Sequence, residues 1–215
     1  MRVRNRGIIP TVETRRGRPS RRLPRRRLEL EERREELLSA AFELFVARGY
    51  EAVGIDDVAK AAGASKGLVY HYFPTKKDLY RAAVERGAEL LLVRTLPDPG
   101  LPPLERLAQG LDAYFQYVDE HEAAYAALMG SAVGIDPEIA KIVERTRQVI
   151  ADRLIEGMPF GEPGPEVRAA LRGWIGFVEA LALHWIATRN PSRASLVAMA
   201  LDVLQHAIVA ALTKR

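Results

Sequence analysis

Residues 49–80 constrain the fold most, because there two short amphipathic patterns flank a glycine. Ile55, Val58, Ala59 and Ala62 recur at helical spacing and give an apolar stripe about two turns long. Gly63 then ends the stripe, since glycine enters the left-handed region at little steric cost. Ser65 follows, where a hydroxyl caps the free N–H groups of a new helix. In that helix Val69 and Phe73 lie one turn apart and face inward, leaving Lys66, Gly67, Leu68, Tyr70 and His71 on or near the outer face. Pro74 stops it, and Thr75 caps a third helix over about 76–93. Two helices across a glycine turn, the second basic and aromatic outside, form a helix-turn-helix pattern. That geometry reads DNA in some proteins and only packs a bundle in others.

The wording of the stretch says more than its periodicity. Ala41 and Phe42 precede Gly49-Tyr50; then come Asp57-Val58-Ala59, Ala62-Gly63, Ser65-Lys66-Gly67, Tyr70, Tyr72-Phe73, Lys76 and Leu79. With these residues at this spacing, the run from Leu37 to Tyr80 resembles the DNA-binding domain of the TetR (tetracycline repressor) family, over roughly residues 30–90. Gly54 stands where a Ser or Thr usually caps the second helix, Ala64 where valine is common, and Asp56 where some relatives place a DNA-contacting residue. The resemblance implies that Ser65 opens the helix that meets DNA and that Lys66, Tyr70, Tyr72 and Lys76 touch phosphates. Gly67, Leu68 and His71 would then approach base edges. The chemistry agrees: lysines neutralise backbone charge, tyrosine hydroxyls donate to phosphate oxygens, and Leu68 offers only apolar contact with a thymine methyl. A half-buried core residue is the alternative for Tyr72, and His71 reads equally as a solvent-exposed group.

The net charge of +4 is unevenly spread. Residues 1–27 hold eleven arginines against Glu13 alone, while the other 188 residues hold 21 Lys/Arg against 27 Asp/Glu. Pro10, Pro19 and Pro24 with few apolar residues predict an arm that does not fold in isolation. Within it Arg16-Gly17-Arg18-Pro19 resembles the core of an AT-hook, whose arginines enter a narrow minor groove. A nonspecific electrostatic arm fits the same residues. The domain reading is therefore an arm at 1–27, a DNA-binding domain at 28–94, and a body at 101–215 beyond the breaker cluster Leu96-Pro97-Asp98-Pro99-Gly100-Leu101-Pro102-Pro103.

The body shows helical periodicity throughout and no convincing strand alternation, so the expected fold is all-α, with about nine helices in all. Helices are expected at about 28–48, 104–119, 122–130, 137–156, 166–189 and 192–214, besides those around the turn. The last two are apolar around much of their circumference and need burial on more than one side. A second copy of the chain supplies that side as a two-fold four-helix interface, expected to use Gly173, Gly176, Ala180, Leu196, Val203, Leu204 and Ala207. TetR proteins dimerise in this way, and the resemblance also implies an effector cavity among the middle helices. Its expected lining is Tyr114, Tyr117, Tyr125, Leu128, Met129, Trp174 and Phe177, with Phe115, Met158 and Phe160 nearby. His121, His184, Glu179 and Arg172 are the candidate polar anchors. Such a lining suits a largely apolar or aromatic molecule.

Catalysis finds little support. There is no cysteine and no GxxxxGK[ST] phosphate loop, and the four histidines are scattered. His121-Glu122-Ala123-Ala124-Tyr125 begins like a zinc-protease HExxH but ends in tyrosine. No metal or cofactor is expected. The longest apolar stretch, around Gly173–Thr188, reads as too short to cross a bilayer, and no membrane partner is expected. The chain is expected to be a cytoplasmic, nucleoid-associated repressor that binds a pseudo-palindromic operator in duplex DNA as a homodimer and is released by a small molecule. A nonspecific architectural DNA binder driven by the arm is the alternative.

Overall fold

A computed structural model describes residues 25–132, 136–158 and 162–213. Among them are nine α-helices, one π-helical turn and no strand. α1 (Arg25–Ala52) starts earlier than expected and carries Leu37, Leu38, Ala41, Phe42 and Phe45 into the N-terminal core. Leu37 is fully buried beside them. At Gly49 the backbone swings to φ 76°, ψ 170°. A Cβ there would meet nothing within 4 Å, so conformation and not space calls for glycine. α2 (Ile55–Ala61) adds Ile55, Val58 and Ala59 to the same core, and α3 (Lys66–Tyr72) adds Val69. Phe73, just past α3, is buried with them.

α4 (Lys76–Arg94) links the two halves of the molecule. Its N-terminal half buries Leu79 and Ala83 in the first core, while Leu91 belongs to the second. Thr75 caps it, its hydroxyl accepting from the Asp78 N–H at 3.0 Å. After the proline-rich break come α5 (Pro103–Glu120), α6 (Glu122–Ala127) with its π-helical continuation Leu128–Ala132, and α7 (Pro137–Glu156). α8 (Pro165–Thr188) and α9 (Arg193–Thr213) pack along their length. The indole N–H of buried Trp174 donates to the Ala200 carbonyl at 2.7 Å, so the contact satisfies its one polar atom. Phe115, Leu171, Ala182, Leu196 and Ala200 form the driest part of this second core.

The expected dimer surface needs correction at two positions. Leu196 and Leu204 are buried inside the protomer's own core, one turn either side of Ala200, and cannot meet a partner. Gly173 and Ala180 are exposed and Gly176 and Ala207 half-exposed, and Val203 is exposed with Met199, Val209 and Leu212. α9 thus carries an inward stripe through Leu196, Ala200 and Leu204 and an outward one through Met199 and Val203. Periodicity alone cannot assign either stripe of a helix that is apolar on both sides. The expectation that no segment is long enough to cross a bilayer is corrected too. By length and composition α9 qualifies, and little of it is buried within one protomer.

Candidate DNA-reading face and ligand cavity

The turn between α2 and α3 is built as its residues dictate. Gly54 has no side chain to cap α2, but the Asp57 carboxylate reaches back to accept from the Gly54 N–H at 2.8 Å. Asp56 and Asp57 sit in the first turn of α2, where the helix dipole favours negative charge. Gly63 takes φ 59°, the Ala64 N–H donates to the Ala59 carbonyl at 2.8 Å, and the Ser65 hydroxyl accepts from Leu68 N–H at 3.2 Å. α3 is then anchored by Val69 beneath.

The candidate DNA-contacting residues divide by exposure. Lys66, Gly67, Tyr70 and His71 face outward, as does Ser65, and the Tyr70 side chain stands well clear of the core. Leu68 and Tyr72 are half-buried and pack against the N-terminal core, so neither stands free on the outer face. Leu68 lies beside Val69 on a seven-residue helix, and its side chain covers the edge of the core. The His71 ring meets Tyr72 edge-on at 5.2 Å.

Both candidate phosphate-binding lysines already have partners in the free chain. Lys66 Nζ donates to Asp56 Oδ2 at 2.8 Å, and that hydrogen bond with the attendant charge attraction raises its pKa. Lys76 lies 4.2 Å above the Tyr50 ring, with its ammonium 3.5 Å from the Glu51 carbonyl. Asp56 and Lys66 are ten positions apart in sequence, and only the fold of the turn brings them together. Arg16 and Arg18 lie outside the described residues.

Behind this face a cavity of about 1080 Å³ opens between α1, α4, α5, α6, α7, α8 and α9. Tyr114, Tyr117, Tyr125, Leu128, Met129 and Trp174 line it as expected, as does Met158. Phe177 does not line the cavity: it sits off the Trp174–Val178 stripe of α8 and packs half-buried against the core elsewhere. Phe115 is fully buried in that core and Phe160 lies outside the described residues. Of the four candidate anchors, His121 and Glu179 are on the wall, whereas His184 and Arg172 are exposed away from it.

Several polar groups punctuate the apolar wall. The Tyr114 and Tyr125 hydroxyls lie 2.5 Å apart, and burial above all pushes both phenols up from their ordinary value. The Tyr117 hydroxyl donates to the Gly87 carbonyl of α4 at 3.0 Å, and burial pushes it up to about 12. The His121 ring stacks on Tyr117, with centroids 4.3 Å apart. Arg147 of α7 grips Glu179 of α8 through two bonds of 2.8 Å. Arg147 had no sequence signal, because one arginine on an amphipathic helix reads as solvated charge. Glu144 on its other side, at 3.2 Å, contributes to raising its pKa, after Glu179. Among the described residues no group of His, Cys, Asp or Glu is arranged to hold a metal ion.

Known proteins carry both halves of this arrangement. The family model "Bacterial regulatory proteins, tetR family" matches residues 37–83, and "Tetracyclin repressor-like, C-terminal domain" matches residues 103–209. The chain is 29% identical over 169 residues to the HTH-type transcriptional activator FasR of Mycolicibacterium smegmatis, covering 77% of each chain. It is 29% identical over 142 residues to the HTH-type transcriptional repressor KstR2 of Mycobacterium tuberculosis, covering 63% of this chain and 71% of that one. A crystal structure of a tetR-family transcriptional regulator from Streptomyces coelicolor superposes with a TM-score of 0.80 at 33% identity, covering 86% of this chain and 84% of that one.

Proposed function

The chain belongs to the TetR family of bacterial regulatory proteins; it is a DNA-binding transcriptional regulator and not an enzyme, and we propose that it is a homodimeric repressor released from its operator by a small molecule. The observation that carries this reading is the position of α4. Its N-terminus, capped by Thr75, adjoins α3, while Ala83, Val84, Gly87, Ala88 and Leu91 further along it line the cavity. A molecule filling that space bears directly on the element that supports the reading helix.

Three ties from the body to α4 favour it as the moving part. Lys77 pairs with Asp136 before α7 at 3.2 Å, Arg145 pairs with Glu85 at 3.1 Å, and Arg153 donates to the Leu92 carbonyl at 2.7 Å. Two protomers joined through the outer faces of α8 and α9 would present two α3 helices. Set about one turn of DNA apart, these would read a pseudo-palindrome. Lys66, Tyr70 and Lys76 then hold phosphates, the half-buried Tyr72 reaches one only through its hydroxyl, and Gly67 and His71 meet bases while Leu68 stays against the core, with Arg16 and Arg18 of the arm in the adjacent minor groove. The domain borders at 28–94 and 101–215 belong to the same reading, as does a cytoplasmic site of action on the chromosome.

FasR is named an activator and KstR2 a repressor. One architecture serves either sign, since the outcome depends on where the operator lies relative to the promoter. Selection of bound duplexes from random DNA, followed by a compound screen for release from the recovered site, tests the proposal. A two-fold symmetric consensus and a compound that weakens its binding are expected. Enrichment of no consensus would leave the nonspecific architectural reading standing in its place.

A further inference from the structure

Two charged side chains of the cavity wall, Arg147 and Glu179, form one electrically closed group with two exposed ones behind them, Glu144 and Arg172. Arg147 spends its Nε–H and one Nη2–H on the two oxygens of Glu179. Its Nη1 donates to Glu144, which also accepts from Arg172 at 3.2 Å. Two guanidinium groups thus meet two carboxylates, and the cluster carries no net charge. Arg147 and Glu179 are both only 16% exposed. Beside them stand Tyr114 and Tyr125, near enough for Glu179 to raise and Arg147 to lower the pKa of each phenol, on top of the larger effect of burial. The shared bond between the two hydroxyls uses one phenolic proton, so the second proton and spare lone pairs remain for a guest.

We infer that the cavity takes an uncharged, largely apolar molecule bearing a hydroxyl group, and discriminates against a carboxylate of the same length. The inference rests on the proposed role of this cavity as the effector site. A carboxylate entering next to Arg147 must displace Glu179, which would then sit in an apolar wall with its charge unpaired, an expensive state. If Glu179 stays, the guest is a third carboxylate on a guanidinium that already serves Glu179 and Glu144. An ammonium group fares better, because Arg147 keeps Glu144 when Glu179 turns to the guest. A hydroxyl joins the tyrosine pair as donor and acceptor without separating any charges. It is the one of the three that leaves the Arg147–Glu179 bridge intact.

The test is isothermal titration calorimetry on the full-length chain at neutral pH with decan-1-ol, decanoate and decylammonium. Decan-1-ol is expected to bind at least about ten-fold more tightly than decanoate, with decylammonium between them. Decanoate binding as tightly as decan-1-ol, or more so, overturns the inference while the effector role of the cavity stands. Binding of none of the three overturns both. Glu179→Gln, which frees the guanidinium, is expected to invert the order and favour decanoate. An unchanged order in a variant that keeps the wild-type circular-dichroism melt also overturns the inference. If that variant does not fold, the wild-type ranking decides.

Discussion

Asp56 and Lys66 show how a single pair of side chains can set the strength of a DNA-reading face. In the free chain Lys66 is bound by Asp56 at 2.8 Å, and both are largely exposed. An exposed pair of this kind contributes little to folding. Its consequence lies in binding, because Lys66 must turn from a carboxylate to a phosphate and Asp56 is then left facing the duplex. Asp56→Asn is therefore expected to tighten operator binding a few-fold. Removing that competitor should also steepen the dependence of log affinity on log salt by up to about 0.9, the share of one phosphate contact. Lys66→Ala and Tyr70→Phe are expected to weaken binding without altering the dimer. Fluorescence anisotropy on a labelled operator across a salt series checks all three. An Asp56→Asn chain that binds no more tightly than wild type would mean that Lys66 does not face the backbone.

At the scale of elements, α9 separates two kinds of apolar residue that a hydropathy profile merges. Leu196 is fully buried against the protomer's own core, whereas Val203 and Met199 are exposed. Leu196→Ala is expected to cost ~2–5 kcal/mol of stability, the range for emptying a leucine site in a packed core. Thermal or denaturant unfolding measures it. Val203→Asp touches no protomer core, so it should leave the protomer folded and lower the mass seen by analytical ultracentrifugation towards that of one chain. If Val203→Asp stays fully dimeric, the outer face of α8 and α9 is not the interface. α4 shows a different kind of packing. A Cβ on Gly87 would lie 3.2 Å from the Tyr117 hydroxyl and 3.3 Å from Phe42, so α4 approaches α1 and α5 closely where the cavity wall joins the two cores.

The whole molecule is expected to behave as a thermodynamic couple between two sites. If a ligand in the cavity favours a state whose α3 spacing no longer fits DNA, operator and ligand must each weaken the other's binding by one factor, typically 5- to 150-fold. Titrating the ligand into free and operator-bound protein measures that factor from one side, and operator titrations with and without ligand measure it from the other. Equal ligand affinity for the two forms would remove the mechanism, because a ligand that does not distinguish two states cannot shift them.

Local rules were enough to derive the helix-turn-helix from sequence. Gly63 at positive φ, the Ser65 and Thr75 caps, the proline breaks and the 3.6-residue stripes act over a few residues, so they are legible in order along the chain. The all-α class and most helix ends followed from the same rules, and the wording of 37–80 pointed to the family. What only the tertiary structure decided are relations between distant positions. Lys66 meets Asp56, Arg147 meets Glu179 thirty-two residues away, and Phe177 leaves the cavity that Trp174 lines. Leu196 and Leu204 turn inward while Val203 turns out. A periodic pattern reports which residues share a face, but packing chooses what that face meets, since burial energy depends on apolar area and is blind to which neighbour covers it.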